Sequence, residues 1–249
     1  MPDAELHLWS GRAIYRGPGY ASEQHRHQAA QLGAGVARPL RVFREGRNQL
    51  WSGFRAAPNY PHRVDADRID SVFVWSESLV VRRALGRASF SPLSLEQSER
   101  LIMGAQGDLH RMPALRIDRF ILETLGIPWT PLEIDSRVRA ALETLQSVSF
   151  TDEPAPLSQL ATKVGLSQRR LRHLFRRHTG MSLQSYRLWR RLFFALQLSA
   201  EDISLTEAAH AAGFADSAHL SRVFKASFGF QPSQVLRSRS VQVFVHDFL

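Results

Sequence analysis

A chain of 249 residues, 44% of them hydrophobic, exceeds the commonest domain size of about 100–150 residues and can build a buried core, so two modest domains are expected. The absence of cysteine excludes disulfides, thiolate nucleophiles and cysteine-bound zinc. With no apolar run near the roughly eighteen residues of a membrane span and no secretory-type start, a cytoplasmic protein without membrane partners is expected. The net charge of +9 has one source: residues 157–240 hold two Lys and eleven Arg against four carboxylates, whereas the remainder balances at nineteen of each sign. Concentrated positive charge of this kind is the electrostatic footprint of nucleic-acid binding, because neutralising phosphates releases counterions.

In chain order, residues 13–15, 40–43, 49–54, 71–75 and 79–81 are short apolar runs separated by Gly17-Pro18-Gly19, Gly33-Ala34-Gly35 and Pro58 to Pro61. This punctuation predicts strands and a small antiparallel barrel or sandwich. His25 and His27 alternate, so on a strand they share a face, and His62 could bring a third nitrogen to a metal site. The blander reading is internal hydrogen bonding or the lining of a small-molecule pocket. From Ser94 the period changes to that of helices, over 94–107, 114–126 and 133–146. Leu101, Ile102, Ile117, Ile121, Leu122 and Leu125 supply either a dimer seam or ordinary core. Residues 151–156, with two prolines, interrupt the pattern before another helical region reaching about Arg237. The tail alternates Val241, Val243 and Val245 as a strand would.

The helical region repeats itself. Leu171, Phe175 and Gly180 recur 49 positions later as Leu220, Phe224 and Gly229, and Ala-x-x-x-Gly precedes each copy at 161–165 and 209–213. A glycine turn with a small residue beside it suits two helices crossing closely, so two helix-turn-helix units are predicted. In the first, Leu171, Leu174 and Phe175 form an inward stripe, and Arg169, Arg172, His173 and Arg176 point outward. No carboxylate occurs from 167 to 200, where a merely solvated face would mix signs. In the second, Leu220, Val223 and Phe224 face inward, leaving Ser217, Ala218, Ser221, Arg222 and Lys225 outside.

At these motifs the chain resembles the AraC/XylS-type bacterial transcription regulators. The resemblance covers about two-fifths of the chain, 135–237, through Ala161 to Phe175, SLQSYRLWRRLFFALQL and EAAHAAGFADSAHLSRVFKASFGFQPSQ. It departs at Val235-Leu236, where the family usually shows an aromatic residue followed by Arg. The resemblance implies two helix-turn-helix units joined by a long helix, each presenting a recognition helix to adjacent major-groove segments. By outward position and by matching that pattern, Arg169, Arg172, His173, Ser217, Ser221 and Arg222 are the expected base readers. Arg176, Arg177, Arg187, Arg190, Arg191 and Lys225 are assigned to phosphates or to solvated charge.

Gly19-x5-His25-x-His27 also resembles the first motif of the cupin barrel, often the sensor of such regulators, with Gln31 where a metal-binding cupin places a carboxylate. His25, His27, Gln31 and His62 are therefore expected to line an effector pocket or a vestigial metal site; no cofactor is expected, and a divalent metal is the lesser alternative. The implied α+β fold has a cupin-like β-barrel effector-sensing domain (1–83), a helical connector (84–130) resembling the family's dimerisation region, an all-α double helix-turn-helix domain (131–240) and a tail (241–249). Its partners would be double-stranded DNA, a small-molecule effector, a second copy as homodimer, and RNA polymerase if it activates. No Gly-x-Ser-x-Gly elbow, phosphate-binding Gly-rich loop or His-Glu-x-x-His occurs, so an enzyme is not expected. The alternatives are a cupin-like metal enzyme fused to a DNA-targeting module and a non-specific DNA binder.

Overall fold

Strand follows strand through the first third of the chain: Ala4–Trp9 (β1), Arg12–Pro18 (β2), Ala30–Gly35 (β3), Leu40–Arg44 (β4), Arg47–Trp51 (β5), Gly53–Ala56 (β6), Arg63–Asp65 (β7) and Asp70–Ser76 (β8). Helix Leu79–Leu85 (α1), strand Phe90–Pro92 (β9) and helices Leu95–Ala105 (α2) and Ala114–Leu125 (α3) come next. The remaining helices are Ser136–Ser147 (α4), Leu157–Lys163 (α5), Gln168–Thr179 (α6), Leu183–Ala200 (α7), Leu205–Ala211 (α8), Ser217–Phe228 (α9) and Ser233–Leu236 (α10), before strand Val241–Val245 (β10). This computed structural model describes residues 3–86, 89–147, 156–200, 203–236 and 240–246. No described helix is long and apolar enough to cross a membrane.

The chain divides into two compact units, one of Met1–Thr130 with Ser221–Leu249 and one of Pro131–Leu220. In the first, seven strands run in the order β10-β1-β2-β8-β3-β6-β9, and β5-β4-β7 form a second sheet. The alternation of β3 and β8 sends Ala30, Leu32, Val72 and Val74 to one face, where they are buried with Val81 of α1, Leu101 of α2 and Ile117 and Ile121 of α3. Each of these valines, leucines and isoleucines contributes about 1.5–3 kcal/mol on burial. Against the other face, Phe54 and Phe90 meet Leu40, Val42 and Val64 of the three-stranded sheet.

Three expectations change here. The barrel is not closed: among the described residues the two sheets share no continuous ladder and are linked by the isolated bridges Gly19 to Asp67, Ala21 to Asp65 and His25 to His62 and by the packing of Phe54 and Phe90. One outer strand, β9, ends at Pro92, which has no N–H to extend a ladder. Residues 79–81 are the first turn of α1, not a strand, because Val81, Arg82 and Leu85 at helical spacing become buried and outweigh the β-propensity of two valines. Finally, residues 221–249 group with the β-rich unit. The tail strand β10 lies parallel to β1 from Ala4–Val241 to Leu8–Val245, a pairing that its alternation alone does not specify. Of the proposed seam residues, Leu101, Ile117, Ile121, Leu122 and Leu125 are buried core.

Two polar clusters lock this unit. Asp118 on α3 is buried and accepts from Arg12 Nε (3.1 Å) and Nη2 (2.6 Å) on β2 and from Ser76 Oγ (2.7 Å) on β8. On β1, the His7 ring is fully buried, stacked on Phe244 and His246, edge-on to His110, and within reach of Glu5 Oε2 (3.1 Å) and His246 Nε2 (2.9 Å). Burial pushes its pKa down to about 4, the charges of His246 and Arg16 add to the fall, and Glu5 opposes it.

Replacing Asp118 by Ala leaves a guanidinium and a hydroxyl facing an emptied pocket, and is expected to cost roughly 3 kcal/mol, read as a lower urea midpoint at unchanged slope. His7 is neutral in the fold and titrates near 6.5 once released, so the released form binds more protons between those values. The docking of β10 is therefore expected to hold above about pH 6.5 and to weaken as pH falls towards about 4. Amide exchange at 241–246 measures this; protection that is flat across that window would remove His7 as its cause.

Candidate functional site

Helix α6 begins where Ser167 Oγ accepts from Arg170 N (3.2 Å). Gly165, at φ 66°, makes the left-handed turn from α5, a conformation that strains any side chain with a Cβ. Leu171, Leu174, Phe175 and Thr179 are buried in a core shared with Val138 and Ala141 of α4, Leu160 and Ala161 of α5, and Leu183 and Tyr186 of α7. The Phe175 and Tyr186 rings meet edge-on at 5.6 Å. With this stripe inside, Arg169, Arg170, Arg172, His173, Arg176 and Arg177 are all exposed on the remaining surface.

The second copy repeats the plan with other caps. Ser204 and Glu207 form a reciprocal capping box at the start of α8, and Gly213, at φ 75°, makes the turn. Asp216 accepts from His219 N at the start of α9, and the Phe214 and His219 rings meet edge-on at 5.3 Å. Ala208, Ala209, Ala212, Leu220 and Phe224 are buried. Arg222 is exposed, Ser217 and Ser221 are half-buried, and Val223, expected inside, is half-buried as well.

The cationic residues assigned to phosphates separate by position. Arg176 and Arg177 are exposed, but the α7 arginines lean on protein. Burial and the charge of Arg191 lower the Arg187 pKa, Arg190 Nη2 donates to the Gln146 carbonyl (3.3 Å), and a Cβ at Gly213 would lie 3.3 Å from Arg191 Nε. Lys225 pairs with Glu23 at 2.8 Å. The sequence reading passed over Gln168 and Arg170, both exposed on α6. Gln168 lies one turn before Arg172 on the same helix face, a spacing that could have marked it.

The N-terminal histidines converge as expected, although 25–27 is an extended segment outside the named strands. One ring nitrogen from each of His25, His27 and His62 falls within 4.8 Å of the others, and all three rings are buried. Gln31 Oε1 stands 2.9 Å from His27 Nε2 and 3.0 Å from His62 Nε2. Burial holds all three histidines below their ordinary pKa, His25 at about 4, His62 well below its usual value and His27 in the same direction. Phe54 and Phe90 flank His62, and Phe228 lies near His27. The end of α9 closes over this cluster: Glu23 N donates to the Gly229 carbonyl (2.8 Å), and a Cβ at Gly229 would come within 2.7 Å of His25 Nδ1.

Comparison with known proteins places the repeat. Residues 160–238 match the family described as "Helix-turn-helix domain". The transcriptional regulator RipA of Corynebacterium glutamicum is 31% identical over 136 residues, 55% of this chain and 40% of that protein. The arabinose operon regulatory protein of Salmonella typhimurium is 37% identical over 102 residues, 41% of this chain and 36% of that protein. The aligned stretches thus span well under half of these curated relatives. Among solved structures, ToxT of Vibrio cholerae superposes with a TM-score of 0.55 at 11% identity, covering 91% of this chain and 97% of that one. The same protein solved with an unsaturated fatty acid bound gives 0.52 at 9% identity, covering 95% and 94%. At such identity the likeness is one of fold. Residues 160–238 thus form a helix-turn-helix domain similar to those of these regulators.

Leu171 is fully buried beneath the arginine face. Its replacement by Ala is expected to cost about 2–5 kcal/mol through the cavity it leaves. Thermal unfolding of the full chain measures this; an unchanged midpoint would reverse the inside and outside of α6.

Proposed function

We propose that this chain is a sequence-specific DNA-binding transcription regulator whose two helix-turn-helix units read adjacent segments of the major groove. The observation that carries this reading is the first unit: a capped helix with an apolar stripe buried and six cationic or imidazole side chains exposed on the rest, in a stretch with no carboxylate from 167 to 200. The N-terminal halves of α6 and α9 would meet base edges, with Arg169, Arg172 and His173 in the first and Ser217, Ser221 and Arg222 in the second. In the second unit Arg222 is the best placed, being exposed where Ser217 and Ser221 are half-buried and able to meet guanine O6 and N7 with two donors. Arg176 and Arg177 would hold phosphates, with smaller shares for Arg187, Arg190 and Arg191, and Lys225 would have to leave Glu23 to join them.

Control by a small-molecule effector belongs to this reading, since ToxT, alike in fold, has been solved with an unsaturated fatty acid bound. His25, His27, Gln31 and His62 are buried polar groups, and in this reading they would hold such a ligand or ion. Homodimerisation, contact with RNA polymerase if the protein activates, a location in the cytoplasm, and the lack of any catalytic role follow the regulator reading and stand or fall with it.

Selection of bound sequences from a random duplex library at physiological salt is expected to enrich two contacted blocks about 10 base pairs apart. Binding that falls steeply with salt and enriches nothing would instead make the chain a non-specific binder. On the selected sequence, Arg222→Ala is expected to cost about 1–3 kcal/mol while leaving random-sequence binding nearly unchanged, measured by titration of both duplexes. Equal losses on the two would remove Arg222 from base reading.

A further inference from the structure

The repeat sets the two helix-turn-helix units side by side, position for position. Helices α6 and α9 each run for 12 residues, from Gln168 and from Ser217, 49 positions apart. Their buried Leu171 and Phe175 match Leu220 and Phe224 at the same offset. Four outward positions then correspond: Gln168 to Ser217, Arg169 to Ala218, Arg172 to Ser221 and His173 to Arg222. Among the expected base readers Ser217 stands without its counterpart, Gln168.

Gln168 lies in the first turn of α6, beside a cap already in use, since Ser167 Oγ accepts from Arg170 N at 3.2 Å. It is exposed, and among the described residues no neighbour takes up its amide. With Arg172 and Arg176, each four residues further on, it forms one row along the helix, rising about 6 Å per step. Bases stack at about 3.4 Å, so one such step spans roughly two base pairs. The chemistry of the row changes along it. An arginine offers donors alone, which suits guanine O6 and N7 or a phosphate. Adenine presents an acceptor at N7 beside a donor at N6, and a guanidinium cannot accept from that donor. A carboxamide donates and accepts side by side, and Gln168 is the exposed α6 residue that carries one. The donor and acceptor of a neutral His173 diverge from one ring and cannot meet both atoms. Being uncharged, Gln168 would also gain little from a phosphate.

We propose that Gln168 is a specificity-determining residue that reads an adenine in the major groove, accepting from N6–H with its amide oxygen and donating from its NH₂ to N7. About two base pairs separate this adenine from the base that Arg172 meets. In the second unit the equivalent Ser217 is shorter and half-buried, so the block contacted by α9 lacks this requirement. The two halves of the target therefore differ in sequence although the helices repeat. This inference rests on the DNA reading proposed above and specifies one base pair of its target.

Selection from a random duplex library is run in parallel with the full chain and with its Gln168→Ala variant. The parent is expected to enrich a motif containing an A·T pair at which Gln168→Ala weakens the preference by about 5–150-fold, while every other position keeps its own. The salt dependence of binding should stay the same, because a neutral side chain releases no counterions. Gln168→Arg should change that adenine to guanine. An unchanged motif in Gln168→Ala, a loss at a G·C pair, or a loss spread evenly over all positions would overturn the role of Gln168 and leave the DNA reading standing. A parent chain that enriches no motif overturns the DNA reading and this inference together. Should Gln168→Ala lose its native circular dichroism, Gln168→Arg decides: guanine in place of adenine at one position supports the assignment, and any other result overturns it.

Discussion

A guanidinium cannot enter an apolar core without a partner, and in this protein that constraint sets which face of α6 turns outward. Only Lys163 and Lys225 are lysines, so thirty of its 32 cationic side chains are arginines, which stay charged at any ordinary pH. Burying one unpaired costs several kcal/mol. In α6, where Leu171, Leu174 and Phe175 must be inside, five arginines have nowhere to go but out. The cationic surface of that helix and the stability of its core are thus two sides of one requirement. The exceptions obey it too: Arg12 meets the buried Asp118, and the buried Arg82 donates to the Gln28 carbonyl.

Histidine solves the opposite problem. Neutral at modest cost, it can be buried where arginine cannot, and two of the three polar centres of the β-rich unit rely on it. Around His7 the rings stack and exchange hydrogen bonds, and the arrangement fastens one strand to another. Around His25, His27 and His62 one ring nitrogen of each instead lies within 4.8 Å of the others, while each Nδ1 rests against a backbone carbonyl.

Much of this was legible from the chain. The 49-residue repeat, the apolar stripes and the turn glycines gave both helix-turn-helix units, because each depends on residues within a few turns of one another. The convergence of His25, His27 and His62 was readable from alternation and a turn. Other features rest on contacts that no local pattern encodes. A lone carboxylate on an amphipathic helix says nothing of its burial, so the role of Asp118 in joining α3 to β2 and β8 was invisible. Two valines at 80 and 81 read as strand until tertiary burial overrode them. The alternating tail announced a strand but not its parallel partner β1, more than two hundred residues away. The barrel expected from resemblance became two sheets because edge formation depends on which strands find each other.

The return of the chain to the first unit gives the fold the topology of an insertion. The polypeptide leaves that unit at Thr130, builds Pro131–Leu220, and comes back at Ser221, where its fastenings include Glu23 to Gly229 and β10 along β1. A segment held at both ends samples far fewer conformations than one hanging from a single linker, and the loss grows only slowly with its length.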